Sequence, residues 1–146
     1  MSAPLPDLGC ACATVRRTAR LVTQLYSKEL GPDIEPGQFS TLAALNEHPG
    51  LNQSKVGYAL GLDKTTMSRN LRVMEKKGWI EPSPGGDRRE RSYCLTPAGR
   101  KVYVRAKPGW VRAQAQLRSS LKRGEWENMF EVFNRVSAAV NLHCDG

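Results

Sequence analysis

Hydrophobic residues recur with a helical spacing along much of the chain, most clearly in two short segments near its middle. Residues 52–60 place three apolar side chains three and four positions apart, which predicts one buried face of a short helix. These side chains are Val56, Ala59 and Leu60. Gly61 follows, where glycine can end a helix in a left-handed conformation without strain. Asp63 is then placed to cap a second helix, residues 64–77, which stops at Gly78.

The second predicted helix has two chemically different faces. At about 100° per residue, its apolar side chains form one narrow stripe that is expected to be buried. The stripe consists of Met67, Leu71 and Met74. The opposite face carries hydroxyls and cations without a carboxylate, namely Thr65, Arg69, Arg72 and Lys76, with Ser68 on its flank. Such a face suits the major groove of DNA, where arginine binds guanine and hydroxyls reach base edges or phosphates. An ordinary basic surface helix is the alternative.

A basic hairpin is predicted directly after the second helix. Residues 79–80 form a short apolar strand, residues 81–87 are rich in turn-forming proline and glycine, and residues 92–95 form the return strand. Three cations crowd its loop: Arg88, Arg89 and Arg91. A flexible arginine loop beside a major-groove helix can reach phosphates or the adjacent minor groove. The alternative is a charged hairpin that only keeps its edges soluble.

Helix, tight turn, helix and basic hairpin follow one another in the order of a winged helix-turn-helix. A preceding helix that opens at Pro36 or Gly37 is expected to pack behind the pair, so a DNA-binding lobe is predicted over residues 36–96. The candidate DNA contacts are Ser54, Lys55, Lys64, Thr65, Thr66, Ser68, Arg69, Arg72, Lys76, Arg88, Arg89 and Arg91. In such an interface, phosphate contacts position the protein and base contacts determine its sequence preference.

The same segment resembles the MarR family, the multiple-antibiotic-resistance regulators. The resemblance rests on residues 66–71 (TMSRNL), residues 74–80 (MEKKGWI), residues 87–89 (DRR) and residues 95–99 (LTPAG). These stretches correspond to the recognition helix of the family, its exit, its wing and the start of the following helix. The resemblance extends over nearly the whole chain, so one MarR-like domain is expected over residues 1–146. It implies a homodimeric regulator that binds a palindromic operator and is often released by a ligand or by oxidation.

Amphipathic helices are also predicted outside the DNA-binding lobe. Residues 12–30 repeat apolar side chains at helical spacing, and a last helix carries apolar side chains over residues 126–140. One small domain cannot easily bury the apolar faces of helices that are so far apart in sequence. Residues 10–31 and 97–142 are therefore predicted to form a dimerisation lobe. A helical core within a monomer is the alternative.

The helix that follows the wing contains an unusual pair of residues. It begins with Thr96-Pro97, a cap followed by a proline that is tolerated in the first turn, and it runs toward Leu121. Pro108-Gly109 lies in its middle, where proline removes a backbone donor and glycine weakens the helix. The pair therefore predicts a kink or a break.

Composition narrows the classes of function. The 146 residues suffice for one domain, and a net charge of +8 agrees with binding to nucleic acid, although a membrane surface or an acidic protein would also attract it. No apolar run approaches the roughly 20 residues that cross a bilayer, and the N-terminus lacks the features of a secretory signal. A cytoplasmic location without a membrane partner is therefore predicted. Nucleophile-elbow, phosphate-loop and dinucleotide-binding motifs are absent, so no enzymatic activity is expected.

Cysteines are the remaining reactive groups. Cys10 and Cys12 lie at the start of the first helix, where backbone amides favour a thiolate, and Cys144 lies near the C-terminus. If the first and last helices pack together, the three thiols could meet and bind a soft metal or metalloid, or react with an oxidant. Thiols without a function are the alternative. No cofactor is expected to be required, and a thiolate-bound soft ion is a candidate inducer.

Together these features predict a mainly α-helical winged helix-turn-helix protein whose terminal helices form a dimerisation lobe. The predicted function is that of a homodimeric repressor of operator DNA, released by a small ligand, a thiophilic ion or an oxidant. The competing function is a winged helix that binds other proteins in an assembly and recognises no DNA sequence. Binding to duplex DNA in rising salt, compared between genomic fragments and random sequence, would distinguish the two.

Overall fold

Residues 3–84 and 89–144 are described by the computed structural model, with side chains described as far as residue 141. The chain divides into two compact units, Met1–Trp110 and Val111–Gly146. Within the described residues, the elements are α1 (Ala11–Leu30), α2 (Pro36–Glu47), α3 (Gln53–Leu60), α4 (Lys64–Lys76), β1 (Ile80–Pro82), β2 (Tyr93–Leu95), α5 (Pro97–Ser119) and α6 (Glu125–Cys144). None of the described helices is both long enough and apolar enough to cross a membrane.

The core of the first unit combines side chains from α2, α3, α4, the hairpin and the first half of α5. Aromatic rings join two of these elements, since Phe39 of α2 stacks on Tyr103 and on Trp110 of α5, with centroid distances of 5.3 and 6.1 Å. The buried cluster comprises Ile34, Phe39, Leu42, Leu45, Val56, Met67, Leu71, Met74, Ile80, Tyr93, Tyr103 and Ala106. The predicted stripe of α4 is thus part of the core.

Helices α2 and α3 begin where their sequences provide partners for the free backbone amides. In α2, Pro36 occupies the first helical position and the Glu35 amide donates to Gln38 Oε1 at 3.0 Å. In α3, Asn52 lies one residue before the helix, and its Oδ1 accepts from the Lys55 amide at 2.8 Å. The prediction that a helix opens at Pro36 or Gly37 is confirmed, and the structure begins it at Pro36.

The turn between α3 and α4 depends on two glycines. Gly61 ends α3 with φ +67° and ψ +29°, the left-handed conformation predicted from its position. Gly57 is buried, and a Cβ there would lie 3.1 Å from the Leu62 carbonyl oxygen, so the turn packs directly on α3. The prediction that Ala59 is buried was wrong. Ala59 is exposed, because the face of α3 that packs on α4 is centred on Val56 and Gly57.

The hairpin is antiparallel, with Ile80 opposite Leu95 and Pro82 opposite Tyr93. Its return arm also contacts the chain just before α3. The Gln53 amide donates to the Arg91 carbonyl at 2.8 Å, and residues 52 and 92 form an isolated bridge. The return arm therefore lies between β1 and the start of α3, which ties the wing to the first helix of the helix-turn-helix.

Helix α5 begins in close contact with the residues that follow α4. The Thr96 hydroxyl donates to the Gly78 carbonyl, and the Thr96 amide donates to the Trp79 carbonyl at 3.0 Å. A Cβ at Gly99 would lie 1.9 Å from the Trp79 carbonyl oxygen, so only glycine allows this approach. The Thr96 hydroxyl also accepts from the Gly99 amide at 3.0 Å, which caps α5 as predicted.

The sequence predicted a kink or a break at Pro108-Gly109, and the break is wrong, because α5 continues through both residues. The pair lies where α5 packs closely against the end of α1. A Cβ at Gly109 would lie 2.3 Å from the Glu29 carbonyl oxygen and 3.1 Å from Leu30 Cα. Gly109 therefore allows two helix backbones to approach, a function that the sequence pattern does not distinguish from helix breaking.

In the second unit, α6 leaves much of its apolar surface in contact with solvent. Its start is ordered by an edge-to-face contact between Trp126 and Phe130, at 5.1 Å, and by an ion pair between Arg118 and Glu127 at 3.6 Å. Farther along, its exposed apolar residues are Phe130, Val132, Phe133, Val136 and Val140, each at least 38% exposed. This surface is unusual for a helix that carries so many apolar residues.

We predict that Gly109→Ala lowers the free energy of unfolding by about 1–3 kcal/mol, because the new methyl group would overlap the Glu29 carbonyl. Chemical denaturation of the purified protein measures this change. Gly37→Ala is the matched control, since a Cβ at that helical position meets nothing within 4 Å. Unfolding midpoints that are equal for Gly109→Ala and the wild type would contradict the close packing of α5 on α1.

Candidate DNA-binding surface

The two faces of α4 are separated as its sequence pattern predicts. Met67, Leu71 and Met74 are at most 1% exposed. On the other side, Thr65, Arg69, Arg72 and Lys76 are exposed and Ser68 is half-buried. Because burial of the apolar stripe fixes the rotation of the helix about its own axis, the cations must point outwards. The described surface of α4 therefore presents guanidinium, ammonium and hydroxyl groups together.

The start of α4 is held by Asp63 and Thr66. Asp63 Oδ1 accepts from the Thr66 amide at 2.9 Å, and Oδ2 accepts from the Thr66 hydroxyl at 2.7 Å. The hydroxyl bond is the main cause that holds the pKa of Asp63 below its usual value, with the amide bond next. The charged form of Asp63 is thus favoured at the positive end of the helix. In this arrangement the Thr66 hydroxyl, a candidate DNA contact, donates to Asp63.

The remaining candidates on the helices are exposed at the first turns of α3 and α4. Ser54 and Lys55 follow Asn52, and Lys64 is the first residue of α4. Amide groups and cations at the start of a helix both attract phosphate. The two helix starts therefore extend the basic surface of α4.

Two of the three wing arginines lie within the described residues, and both Arg89 and Arg91 are exposed. Arg88 lies outside them. A hydrogen bond to the Tyr93 side chain raises the pKa of Arg91, with a smaller contribution from the charge of Glu75. Arg91 therefore interacts with the side chain of Tyr93 on its own arm of the hairpin.

Glu90 is a residue of this surface that the sequence pattern did not single out. Its Oε2 accepts from Asn52 Nδ2 at 2.6 Å, and its Oε1 accepts from the Ser54 hydroxyl at 3.1 Å. The sequence contains one indication of a special role, because Glu90 is the one acid in the run Arg88-Arg89-Glu90-Arg91. The partners, 36 and 38 residues away, could not be read from that signal.

The structure places Cys10 and Cys12 at the exposed start of α1. Cys10 caps the helix, and its Sγ accepts from the Ala13 amide at 3.5 Å. Cys94 is half-buried in β2 and its thiol lies 3.8 Å from the Glu81 carbonyl oxygen. The side chain of Cys144 lies outside the described residues. Within the described part of the chain, no three potential metal ligands of the His, Cys, Asp and Glu types lie together.

Several cavities lie beside α5 in the described part of the first unit, and two of them are candidates for an effector site. The larger, of about 730 Å³, is open and is lined by Leu95, Pro97, Arg100, Lys101, Val104 and Arg105. The smaller, of about 250 Å³, lies between α2 and α5 and is lined by Phe39, Ser40, Ala43, Glu47, Tyr103, Lys107 and Trp110. Both have apolar walls; the larger adds three cations, and the smaller adds one cation, Lys107, and one acid, Glu47.

This arrangement of helices and hairpin is a winged helix-turn-helix. Known proteins are similar to this chain both in fold and in sequence. Residues 33–90 match the model of the MarR family. The transcriptional regulator MosR of M. tuberculosis, solved in complex with DNA, is 33% identical with a TM-score of 0.81, over 91% of this chain and 97% of MosR. The S. aureus MepR–DNA complex is 25% identical with a TM-score of 0.77, over 89% of this chain and 98% of MepR.

A relative found by sequence agrees with these structures. YybA of Bacillus subtilis, an uncharacterised HTH-type transcriptional regulator, is 28% identical over 123 residues, which are 84% of this chain and 81% of YybA. The chain therefore belongs to the MarR family, and it is a winged helix-turn-helix transcriptional regulator. The predicted fold class and family are confirmed.

Proposed function

We propose that this protein is a homodimeric repressor that binds a palindromic operator through α4 and the wing, and that a chemical signal releases it. The observation that carries the proposal is the exposed face of α4. It presents Arg69 and Arg72 beside Thr65, with the apolar stripe opposite fully buried. Arginine can donate two parallel hydrogen bonds to guanine O6 and N7, which is a common basis of sequence preference. Support also comes from MosR and MepR, whose structures contain DNA.

The wing would supply contacts of a different kind. Arg89 and Arg91 are exposed on an arm that is tied to the start of α3. Contacts from such an arm to phosphates or to the minor groove strengthen binding to all sequences and set the register of the recognition helix. Base reading would then depend on α4, and overall affinity on the wing together with the helix starts.

A dimer would explain the apolar surface of the terminal helices. Along α6, Phe133 is 42% exposed and Val140 is 55% exposed, and α1 contains no fully buried residue although it is 20 residues long. Apolar patches of this kind mark protein interfaces. A two-fold dimer would place two recognition helices about 34 Å apart, one turn of DNA, which matches a palindromic operator.

Two classes of signal are candidates for release. Cys10 and Cys12 expose two thiols at the start of α1, where an oxidant could link them or a soft ion such as arsenite or mercury could bind them. The cavities beside α5 are the second candidate, for a small organic effector. No resident cofactor is part of the proposal. Operator occupancy changes from nearly full to nearly empty only if the signal favours the released state by about 5.5 kcal/mol, which thiolate bonding can supply.

The competing proposal is a winged helix that serves protein assembly. The α4 face could bind an acidic protein surface, because its cations attract any anionic partner. That function predicts no preference among duplex sequences. The variants described next therefore test both proposals.

Replacement of Arg69 or Arg72 by alanine is expected to weaken binding to a preferred duplex by about 1–3 kcal/mol for the arginine that reads a base, and to relax preference at one position. The preferred duplex is obtained by selection from a random-sequence pool with the wild-type protein, and affinity is measured by fluorescence anisotropy. Arg16→Ala, which removes an exposed cation from α1, is the control. If neither α4 variant changes the affinity, the assignment of the recognition face is wrong.

Sedimentation at micromolar concentration is expected to give twice the chain mass for the wild-type protein. Phe133→Glu should shift the protein towards the monomer, because it introduces a charge into the exposed apolar face of α6. Asn134→Glu is the matched control, since it adds the same charge at the next exposed position of the helix. A wild-type monomer, or equal masses for the two variants, would contradict the interface.

Arsenite, mercury or peroxide is expected to release the wild-type protein from the selected duplex, while the double variant Cys10→Ser, Cys12→Ser stays bound. The reason is that both thiols are exposed at the start of one helix. Cys94→Ser, which removes the half-buried thiol of β2, is the control and should respond like the wild type. Equal release of the wild type and the double variant, or none in either, would exclude these thiols as the sensor and favour the cavities beside α5.

A further inference from the structure

Glu90 lies in the wing between two arginines, yet its carboxylate is directed to the start of α3. Both of its oxygens are used, one by the Asn52 amide nitrogen at 2.6 Å and the other by the Ser54 hydroxyl at 3.1 Å. We call Glu90, Asn52 and Ser54 the Glu90 cluster. It joins two elements that are far apart in sequence and that both border the basic surface.

Asn52 has two roles in the Glu90 cluster. Its Oδ1 accepts from the Lys55 amide at 2.8 Å and so caps α3, while its Nδ2 donates to Glu90. The cap fixes the orientation of the Asn52 side chain, and that orientation presents the amide nitrogen to the wing. The position of the wing is therefore coupled to the first turn of α3 through one rigid side chain.

Backbone hydrogen bonds also join the wing to the chain before α3. The Gln53 amide donates to the Arg91 carbonyl, the Tyr93 amide to the Leu51 carbonyl and the Gly50 amide to the Tyr93 carbonyl. The named strands of the hairpin contain only three residues each. Charged hydrogen bonds are stronger than neutral ones. The Glu90 cluster adds two such bonds at the point where the arginines leave the ladder.

We propose that Glu90 is a positioning residue for DNA recognition, which holds the wing against α3 so that Arg89 and Arg91 approach DNA in register with α4. The proposal rests on the proposed DNA-binding function. A carboxylate beside a phosphate-binding surface repels DNA of every sequence. Glu90 therefore lowers affinity in general while its two bonds favour the one wing orientation that suits the preferred sequence. Glu90 is therefore expected to raise the ratio of specific to non-specific affinity while it lowers the non-specific affinity itself.

The Glu90 cluster also changes the role expected for Ser54. A serine hydroxyl has one proton, and the Ser54 proton is donated to Glu90. A phosphate oxygen can only accept, so Ser54 cannot donate to phosphate while it donates to Glu90. The proposal thus assigns Ser54 to the support of the wing and leaves phosphate contact at the start of α3 to Lys55 and the backbone amides.

The test compares two duplexes: one selected by the wild-type protein from a random-sequence pool, and one with the same bases shuffled. The specificity ratio is the dissociation constant for the shuffled duplex divided by that for the selected duplex. Glu90→Ala is expected to bind the shuffled duplex more tightly and to lower the ratio by about tenfold, since two hydrogen bonds are lost. Glu90→Gln should tighten non-specific binding as much but retain more of the ratio, because an amide oxygen still accepts from Asn52 or Ser54.

Two further variants distinguish the positioning role of Glu90 from a general effect of its charge and from a direct contact of Ser54 with DNA. Glu81→Gln removes a carboxylate from β1 of the same hairpin and should leave the ratio unchanged. Ser54→Ala should lower the ratio in the wild-type background and have no effect in the Glu90→Ala background, because both changes remove the same bond.

Additive effects of Ser54→Ala and Glu90→Ala would overturn the proposal, since they would indicate that Ser54 binds DNA by itself. So would a ratio in Glu90→Ala equal to that of the wild type, or a loss in Glu90→Gln as large as in Glu90→Ala. If the wild-type protein enriches no sequence at all, the proposed function fails and the positioning role fails with it. Thermal unfolding of each variant shows that the comparison is made between folded proteins.

Discussion

The approach of the Trp79 peptide to Gly99 is the contact on which the geometry of the surface depends. The Thr96 hydroxyl and amide donate to the carbonyls of Gly78 and Trp79, and a side chain at position 99 would overlap the Trp79 carbonyl. The residues that follow α4, the first strand of the wing and the start of α5 thus pack closely at this point. A displacement of the start of α5 must therefore displace the end of α4 with it.

Burial of three side chains determines the chemistry that α4 presents. Met67, Leu71 and Met74 lose almost all contact with water, which stabilises one rotation of the helix by about 2 kcal/mol for each side chain. A rotation of the helix that buried Arg69 or Arg72 would expose these apolar side chains to water. It would also bury an unpaired cation, which is itself strongly destabilising. The orientation of the arginines is thus set by the apolar residues opposite them rather than by the partner.

The features that could be predicted from sequence depend on neighbours in the chain. Helix periods, the cap at Asp63 and the left-handed Gly61 each involve residues within four positions, and all three are present. The wrong predictions concern residues whose environment depends on packing against parts of the chain that are distant in sequence. Ala59 is exposed, whereas Gly57 forms the contact with the turn. Helix α5 continues through Pro108-Gly109, where Gly109 packs against the end of α1. The partners of Glu90 could not be predicted from the sequence pattern for the same reason.

Among the described residues near the basic surface, the carboxylates of Asp63, Glu75 and Glu90 each interact with a neighbouring group. Asp63 accepts from Thr66, Glu90 accepts from Asn52 and Ser54, and the charge of Glu75 acts on Arg91. An acid in such a place weakens attraction to DNA of any sequence, so simple selection for affinity would remove it. A regulator, however, must find its operator among a large excess of competing sequences, and the quantity that matters is the ratio of specific to non-specific affinity. Under the positioning role that we propose for Glu90, an acid that orients the wing raises this ratio while it lowers both affinities, even in a protein of net charge +8.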